Sequence, residues 1–72
     1  MASVTKQDLQ PYQQRVIDEK AELDARLLKL AEFRDSLGWY LLPLRERRLL
    51  TRQEYFMARY SRILGQRIEA WR

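Results

Sequence analysis

The chain has 72 residues, contains neither cysteine nor histidine, and carries a formal net charge of +4. This composition excludes disulfides and any catalytic site built on a cysteine or histidine, and it disfavours a zinc site. So short a chain forms at most one domain with a marginal core, which leaves self-association as the stabilising device. No apolar run approaches the roughly 20 residues of a membrane span, and the first residues lack a signal-peptide pattern. We therefore expect a soluble, cytoplasmic protein.

A first long helix is predicted over about residues 8–36. Pro11 is tolerated only near the first turn, and Asp8 or Thr5 is the expected N-cap. From Tyr12 the apolar residues recur at helical spacing in two lines. One line contains Tyr12, Val16, Leu23, Leu27, Leu30, Phe33 and Leu37, and the other contains Ile17, Ala21, Leu28 and Ala31.

The second half predicts a connector and another long helix. Gly38 is placed as a left-handed C-terminal cap, and Pro43 suits a first helical position. Residues 43–50 are expected to form a short helix or turn, because Thr51 to Glu54 match the capping-box pattern and predict a new helix over residues 51–71. Gly65 lies inside this helix, where it would allow close approach of another helix or a ligand. Two apolar lines are predicted for the second half. One line contains Leu50, Met57, Leu64, Ile68 and Trp71, and the other contains Leu49, Phe56, Tyr60 and Ile63.

Each long helix carries a wider apolar arc than one partner helix covers. We therefore predict an all-α fold, an antiparallel helical hairpin over residues 1–72 with short N-terminal and connector segments, which assembles into a homo-oligomer. The alternative is a monomer with exposed apolar flanks, since scattered apolar residues are normal on protein surfaces.

Charge is distributed unevenly between the two halves of the chain. Residues 1–36 have a net charge of −1, whereas residues 37–72 have one of +5, and every basic residue of the second half is arginine. Arginine makes forked contacts with phosphate that lysine cannot reproduce. The alternative is a solvated helix face with salt bridges to the acidic first half.

The residues offer no catalytic constellation. Ser3, Ser36 and Ser61 have no histidine base, and no glycine-rich phosphate loop is present. The acidic residues of the first helix are expected to form i,i+4 pairs with the basic residues around them. These acidic residues are Asp18, Glu19, Glu22 and Asp24. We expect a binding protein without enzymatic activity, cofactor or metal.

Aromatic and arginine side chains are the chemistry that remains. Tyr12 lies at a helix start beside Arg15, where its ring would stack on a nucleobase while arginine holds a phosphate. The alternative for Tyr12 is a residue at the rim of the core. Arg59, Arg62 and Arg67 follow at helical spacing beside Tyr60, and their alternative is a solvated stripe.

The segments Tyr12–Phe33 and Leu49–Ile68 together resemble a family of small phage proteins. The polar residues that carry the resemblance are Tyr12, Arg15, Glu19, Glu22, Gln53, Tyr60 and Arg67. Members of this family are anti-CBASS sponges, which sequester the cyclic oligonucleotide messengers of a bacterial defence without cleaving them. The resemblance implies a hexamer with cyclic dinucleotide pockets between protomers and separate sites for cyclic trinucleotides.

The resemblance also assigns roles to individual residues. It implies that Tyr12 stacks on the bases and that Arg26 aligns with a ligand-contacting lysine of the family, with Lys29 as a second candidate. Arg67 matches an arginine that would serve the trinucleotide site. The stretch Trp39–Leu44 follows no pattern of the family.

These observations favour a phage sponge for cyclic di- and trinucleotides, acting in the host bacterial cytoplasm. Two alternatives stay open. One is a structural or protein-binding hairpin that inhibits a host protein, and the other is a small basic nucleic-acid-binding protein. For the sponge we expect no membrane and no DNA partner, only cyclic nucleotides and further copies of the chain.

Overall fold

The computed structural model describes residues 9–71, and this part of the chain contains three helices and no strand. Helix α1 spans Pro11–Arg34, α2 spans Leu37–Leu41 and α3 spans Leu44–Glu69. Contacts between the start of α1 and the end of α3 show that the two long helices pack antiparallel. The hairpin is slender, with extents of 50 × 20 × 17 Å. The predicted all-helical antiparallel hairpin of one chain is confirmed.

Local hydrogen bonds set the ends of α1. Pro11 occupies the first helical position, where its missing N–H costs no helical bond. The backbone amide of Gln10 donates to the side-chain oxygen of Gln13 at 2.8 Å, so Gln10 is the N-cap. The expected caps Asp8 and Thr5 lie outside the described residues. At the other end, the Ser36 hydroxyl donates to the Phe33 carbonyl at 2.6 Å, and the helix ends at Arg34.

The prediction of a left-handed cap at Gly38 is wrong. Gly38 lies inside α2, and no glycine in residues 9–71 has a positive φ. Glycine is required there for space instead, since a Cβ at this position would lie 2.8 Å from Cε1 of Phe33. The absence of a side chain lets α2 turn back closely over the end of α1.

The predicted break at Thr51 is also wrong. Helix α3 begins at Leu44 and continues without interruption to Glu69, so residues 44–50 are its first turns and no separate segment. Pro43 is its N-cap and not, as the sequence had suggested, its first helical residue. The Thr51 hydroxyl donates to the carbonyl of Arg47 at 2.9 Å. Because threonine inside a helix can bond back to the preceding turn, a capping-box pattern does not by itself start a helix.

The core of the hairpin is small. Val16, Leu23 and Leu64 are its buried apolar residues, and Leu64 is fully buried. Each belongs to the first of the two apolar lines that the sequence predicted for its helix. Other large apolar side chains are exposed, including Tyr12, Leu28, Leu37, Tyr40, Leu41, Leu44, Leu49, Tyr55, Phe56, Tyr60 and Ile63. None of the helices described here is long and apolar enough to cross a membrane.

Candidate ligand-binding surface

A polar network fixes the register of α1 against α3. Lys20 on α1 donates through Nζ to Oδ2 of Asp24 at 2.7 Å and to Oγ of Ser61 on α3 at 3.1 Å. The Ser61 hydroxyl in turn donates to the other oxygen of Asp24. The hydrogen bonds from Lys20 and Ser61 lower the pKa of Asp24 below its ordinary value. A Cβ on Gly65 would lie 3.2 Å from Cε of Lys20, so Gly65 provides the close approach that the sequence suggested.

A second inter-helix contact lies next to this network along both helices. The Tyr60 hydroxyl donates to the carboxylate of Glu19. This hydrogen bond raises the pKa of Tyr60, since loss of the hydroxyl proton would place two negative charges together, while the positive charge of Arg67 opposes the shift. The Arg67 guanidinium is therefore near enough to influence Tyr60 electrostatically.

The open end of the hairpin displays the Tyr12 ring. Tyr12 is 48% exposed, and its ring meets that of Trp71 edge-on at 5.9 Å between centroids, with an angle of 82° between the planes. Arg15 is exposed one turn further along α1, and Arg67 lies in the last turn of α3. The antiparallel packing therefore brings Tyr12, Arg15 and Arg67 to the same end of the molecule.

The remaining two predicted ligand residues lie elsewhere. Arg26 and Lys29 are exposed on α1, 14 and 17 residues beyond Tyr12. At 1.5 Å per residue these separations are about 21 Å and about 26 Å along the helix. One protomer therefore does not gather all five predicted residues into one pocket.

The comparison with known proteins settles the family. The Sequestin family model matches residues 10–70. The chain belongs to the Sequestin family. The match covers all three helices and includes Tyr12, Arg15, Arg26, Lys29 and Arg67. The family name indicates binding and sequestration rather than catalysis, which agrees with the resemblance to phage sponges. No curated protein and no solved structure gives a significant match.

This Sequestin-family chain also has a cleft at the closed end of the hairpin that the sequence interpretation did not identify. The cleft has a volume of about 480 Å³. Its lining consists of Trp39, Leu44, Arg47, Arg48, Thr51 and Arg52, and we call it the arginine cleft. The arginine-rich sequence after Pro43 indicated a basic surface here. The expected break at Thr51, however, assigned Arg48 and Arg52 to two separate segments, whereas they lie on one continuous helix.

A neighbouring cleft of about 370 Å³ shares Trp39 with the arginine cleft. Arg34 lines this second cleft, forms an ion pair with Glu54 and lies over the Trp39 ring at 5.3 Å from its centroid. Phe33 meets the same ring edge-on at 6.3 Å. The Trp39 indole is therefore contacted by two side chains of α1, Phe33 and Arg34, and Arg34 is itself fixed by its ion pair with Glu54.

Proposed function

We propose that this protein is a phage-encoded sponge that binds cyclic di- and trinucleotide messengers of bacterial CBASS defence and sequesters them without cleavage. The exposed Tyr12 ring, with the exposed Arg15 one turn further along α1 in a chain of the Sequestin family, is the observation that carries the proposal. An aromatic face stacks on a base, and guanidinium groups bind phosphate. With neither cysteine nor histidine in the sequence, the chain lacks the usual nucleophiles and bases for phosphodiester hydrolysis.

The proposed sponge requires several copies of the chain. Arg26 and Lys29 lie too far from Tyr12 to share a ligand with it inside one protomer, whereas a neighbouring copy can bring them to it. Exposed apolar residues support the same conclusion: Leu28 on α1 is 62% exposed, and Leu37 and Leu41 on α2 are 81% and 84% exposed. Surfaces of this kind mark sites of association. We propose a homo-oligomer, with a hexamer as the expected form.

Within this assembly each predicted residue has a role. Tyr12 stacks on a base of a cyclic dinucleotide, and Arg15 contacts a phosphate. Arg26, with Lys29 as the second candidate, supplies positive charge from the neighbouring protomer. Arg67, at the end of α3, is assigned to a separate cyclic trinucleotide site.

Calorimetry against a panel of cyclic di- and trinucleotides tests the proposal. We expect micromolar or tighter binding, a raised melting temperature because the ligand stabilises the folded state, and recovery of intact ligand after the protein is denatured. Light scattering should give a mass several times that of one chain. Arg59→Ala is the control variant and should bind normally, since Arg59 is also exposed but its Cζ packs 5.5 Å from the centroid of the Tyr55 ring. A monomer that binds no cyclic nucleotide, or linearised product, would contradict the proposal.

The exposed α2 residues also suit the second candidate, a hairpin that inhibits a host protein through an apolar surface. This candidate predicts no change in melting temperature with any cyclic nucleotide. The same calorimetry and melting experiments therefore separate the two functions.

A further inference from the structure

The arginine cleft lies at the opposite end of the hairpin from Tyr12 and is independent of the proposed sponge site. Tyr12 lies in the first turn of α1, whereas residues of α2 and of the first turns of α3, at the other end of the hairpin, line the cleft. Its volume of about 480 Å³ falls in the range of small-molecule pockets, roughly 300–1,000 Å³. It is therefore large enough for an organic small molecule and not only for a single ion.

Positive charge in the cleft is concentrated and unneutralised. Arg47, Arg48 and Arg52 lie within about one and a half turns of α3, and the cleft lining contains no acidic residue. None of the three makes an ion pair with any residue between 9 and 71. The α3 N-terminus adds the positive end of a 26-residue helix dipole to the same region.

One of these arginines has an unsatisfied donor. The Nε of Arg47 is buried and has no hydrogen-bond partner in the described part of the chain. Buried polar groups in native proteins nearly always have a partner, so the Arg47 side chain is incompletely satisfied by the described residues.

An aromatic surface borders the three guanidinium groups. Trp39 lines both clefts, whereas Arg34 lines only the neighbouring one, so part of the Trp39 side chain borders the arginine cleft. The indole is already held by Phe33 and Arg34. A ring that is fixed before binding loses little conformational freedom when a flat ligand stacks on it.

We propose that the arginine cleft binds a nucleoside di- or triphosphate, with the base on Trp39 and the phosphates on Arg47, Arg48 and Arg52. Guanidinium groups bind phosphate oxygens through paired, charge-assisted hydrogen bonds, and an indole stacks on any base. The clustered charge fits a terminal polyphosphate. In a cyclic dinucleotide, by contrast, two singly charged phosphodiesters lie on opposite sides of a ring.

Tryptophan fluorescence provides a direct test. Trp39 and Trp71 are the only tryptophans of the chain, so Trp71→Phe leaves Trp39 as the sole reporter. Titration of this variant with ATP or ADP should quench the fluorescence, with AMP and adenosine binding at least about tenfold more weakly. Inorganic triphosphate should bind more weakly than ATP, because it lacks a base to stack. Absence of quenching, or equal binding of ATP and adenosine, would overturn the proposal.

Substitutions locate the site. Arg48→Ala and Arg52→Ala each remove an exposed side chain and should weaken ATP binding by about tenfold, since a hydrogen bond to a charged group is worth about that factor. Arg62→Ala removes an exposed arginine outside the cleft and should leave ATP binding unchanged. Circular dichroism checks that each variant is helical.

Further experiments distinguish this site from the proposed sponge site and from a membrane-binding surface. Tyr12→Ala should leave ATP affinity intact, and saturating cyclic dinucleotide should not displace ATP. Displacement, or loss of ATP binding in Tyr12→Ala, would show a single shared site and refute a separate one. Binding to anionic vesicles without binding to ATP would instead assign the cleft to a membrane surface. Failure of the sponge function leaves these ATP measurements unaffected.

Discussion

The Tyr12 side chain can be tested for two separate contributions, one to folding and one to ligand binding. In the folded hairpin Tyr12 is half exposed and makes one edge-on ring contact, with Trp71. Such aromatic pairs contribute about 0.5–1.5 kcal/mol beyond their buried area. Tyr12→Ala should therefore lower the free energy of unfolding by only about 1–2 kcal/mol and leave the protein folded.

The expected effect on binding is larger. Stacking of one base on an aromatic ring is worth about 1–3 kcal/mol. Tyr12→Ala should accordingly raise the Kd for a cyclic dinucleotide by about 5- to 150-fold. Tyr12→Phe keeps both the stacking face and the Trp71 contact, so its affinity and its melting temperature should stay close to those of the unmodified chain.

Calorimetric titration and a thermal melt of each variant separate the two contributions. Tyr40→Ala is the matched control, since Tyr40 is 67% exposed and lies at the closed end of the hairpin. The reasoning is refuted if Tyr12→Ala stays folded and oligomeric yet binds cyclic dinucleotides normally. A loss of affinity in Tyr40→Ala alone would move the stacking site to the closed end.

Three other predictions concern the hairpin itself. Leu64→Ala should lower the free energy of unfolding by about 2–5 kcal/mol in chemical denaturation, because Leu64 is fully buried, whereas Ile63→Ala, at an exposed neighbour, should cost much less in the monomer. The lowered pKa of Asp24 contributes stability above pH 3.8 that is lost as pH falls through the folded-state pKa, so Asp24→Asn should flatten the acid limb of stability against pH. Gly38→Ala should destabilise by about 1–3 kcal/mol, because its Cβ would lie 2.8 Å from the rigid Phe33 ring; a higher melting temperature would contradict this.

The sequence by itself determined the helical class and the pairing of the two long helices. Helical spacing of the apolar residues placed Val16, Leu23 and Leu64 on apolar lines of the two long helices, and these three residues are the buried apolar core. Pro11 correctly marked the first turn of α1. These features follow from periodicity and from proline chemistry, which act within a few residues of chain. The residues that resemble the phage sponges also pointed to the family that the match over residues 10–70 establishes.

Tertiary structure decided the features that depend on residues far apart in the chain. Gly38 marks a close approach to Phe33 rather than a left-handed turn, and Lys20 reaches Ser61 across 41 positions, which local patterns do not encode. The continuity of α3 through Thr51 keeps Arg47 and Arg52 on one helix, and both line the same cleft as Trp39. Neither the spacing of the arginines nor the capping-box pattern contained this arrangement, because it depends on where α2, packed on the end of α1, lies relative to the first turns of α3. Likewise, only the antiparallel packing brings Arg67 to the end of the hairpin that displays Tyr12.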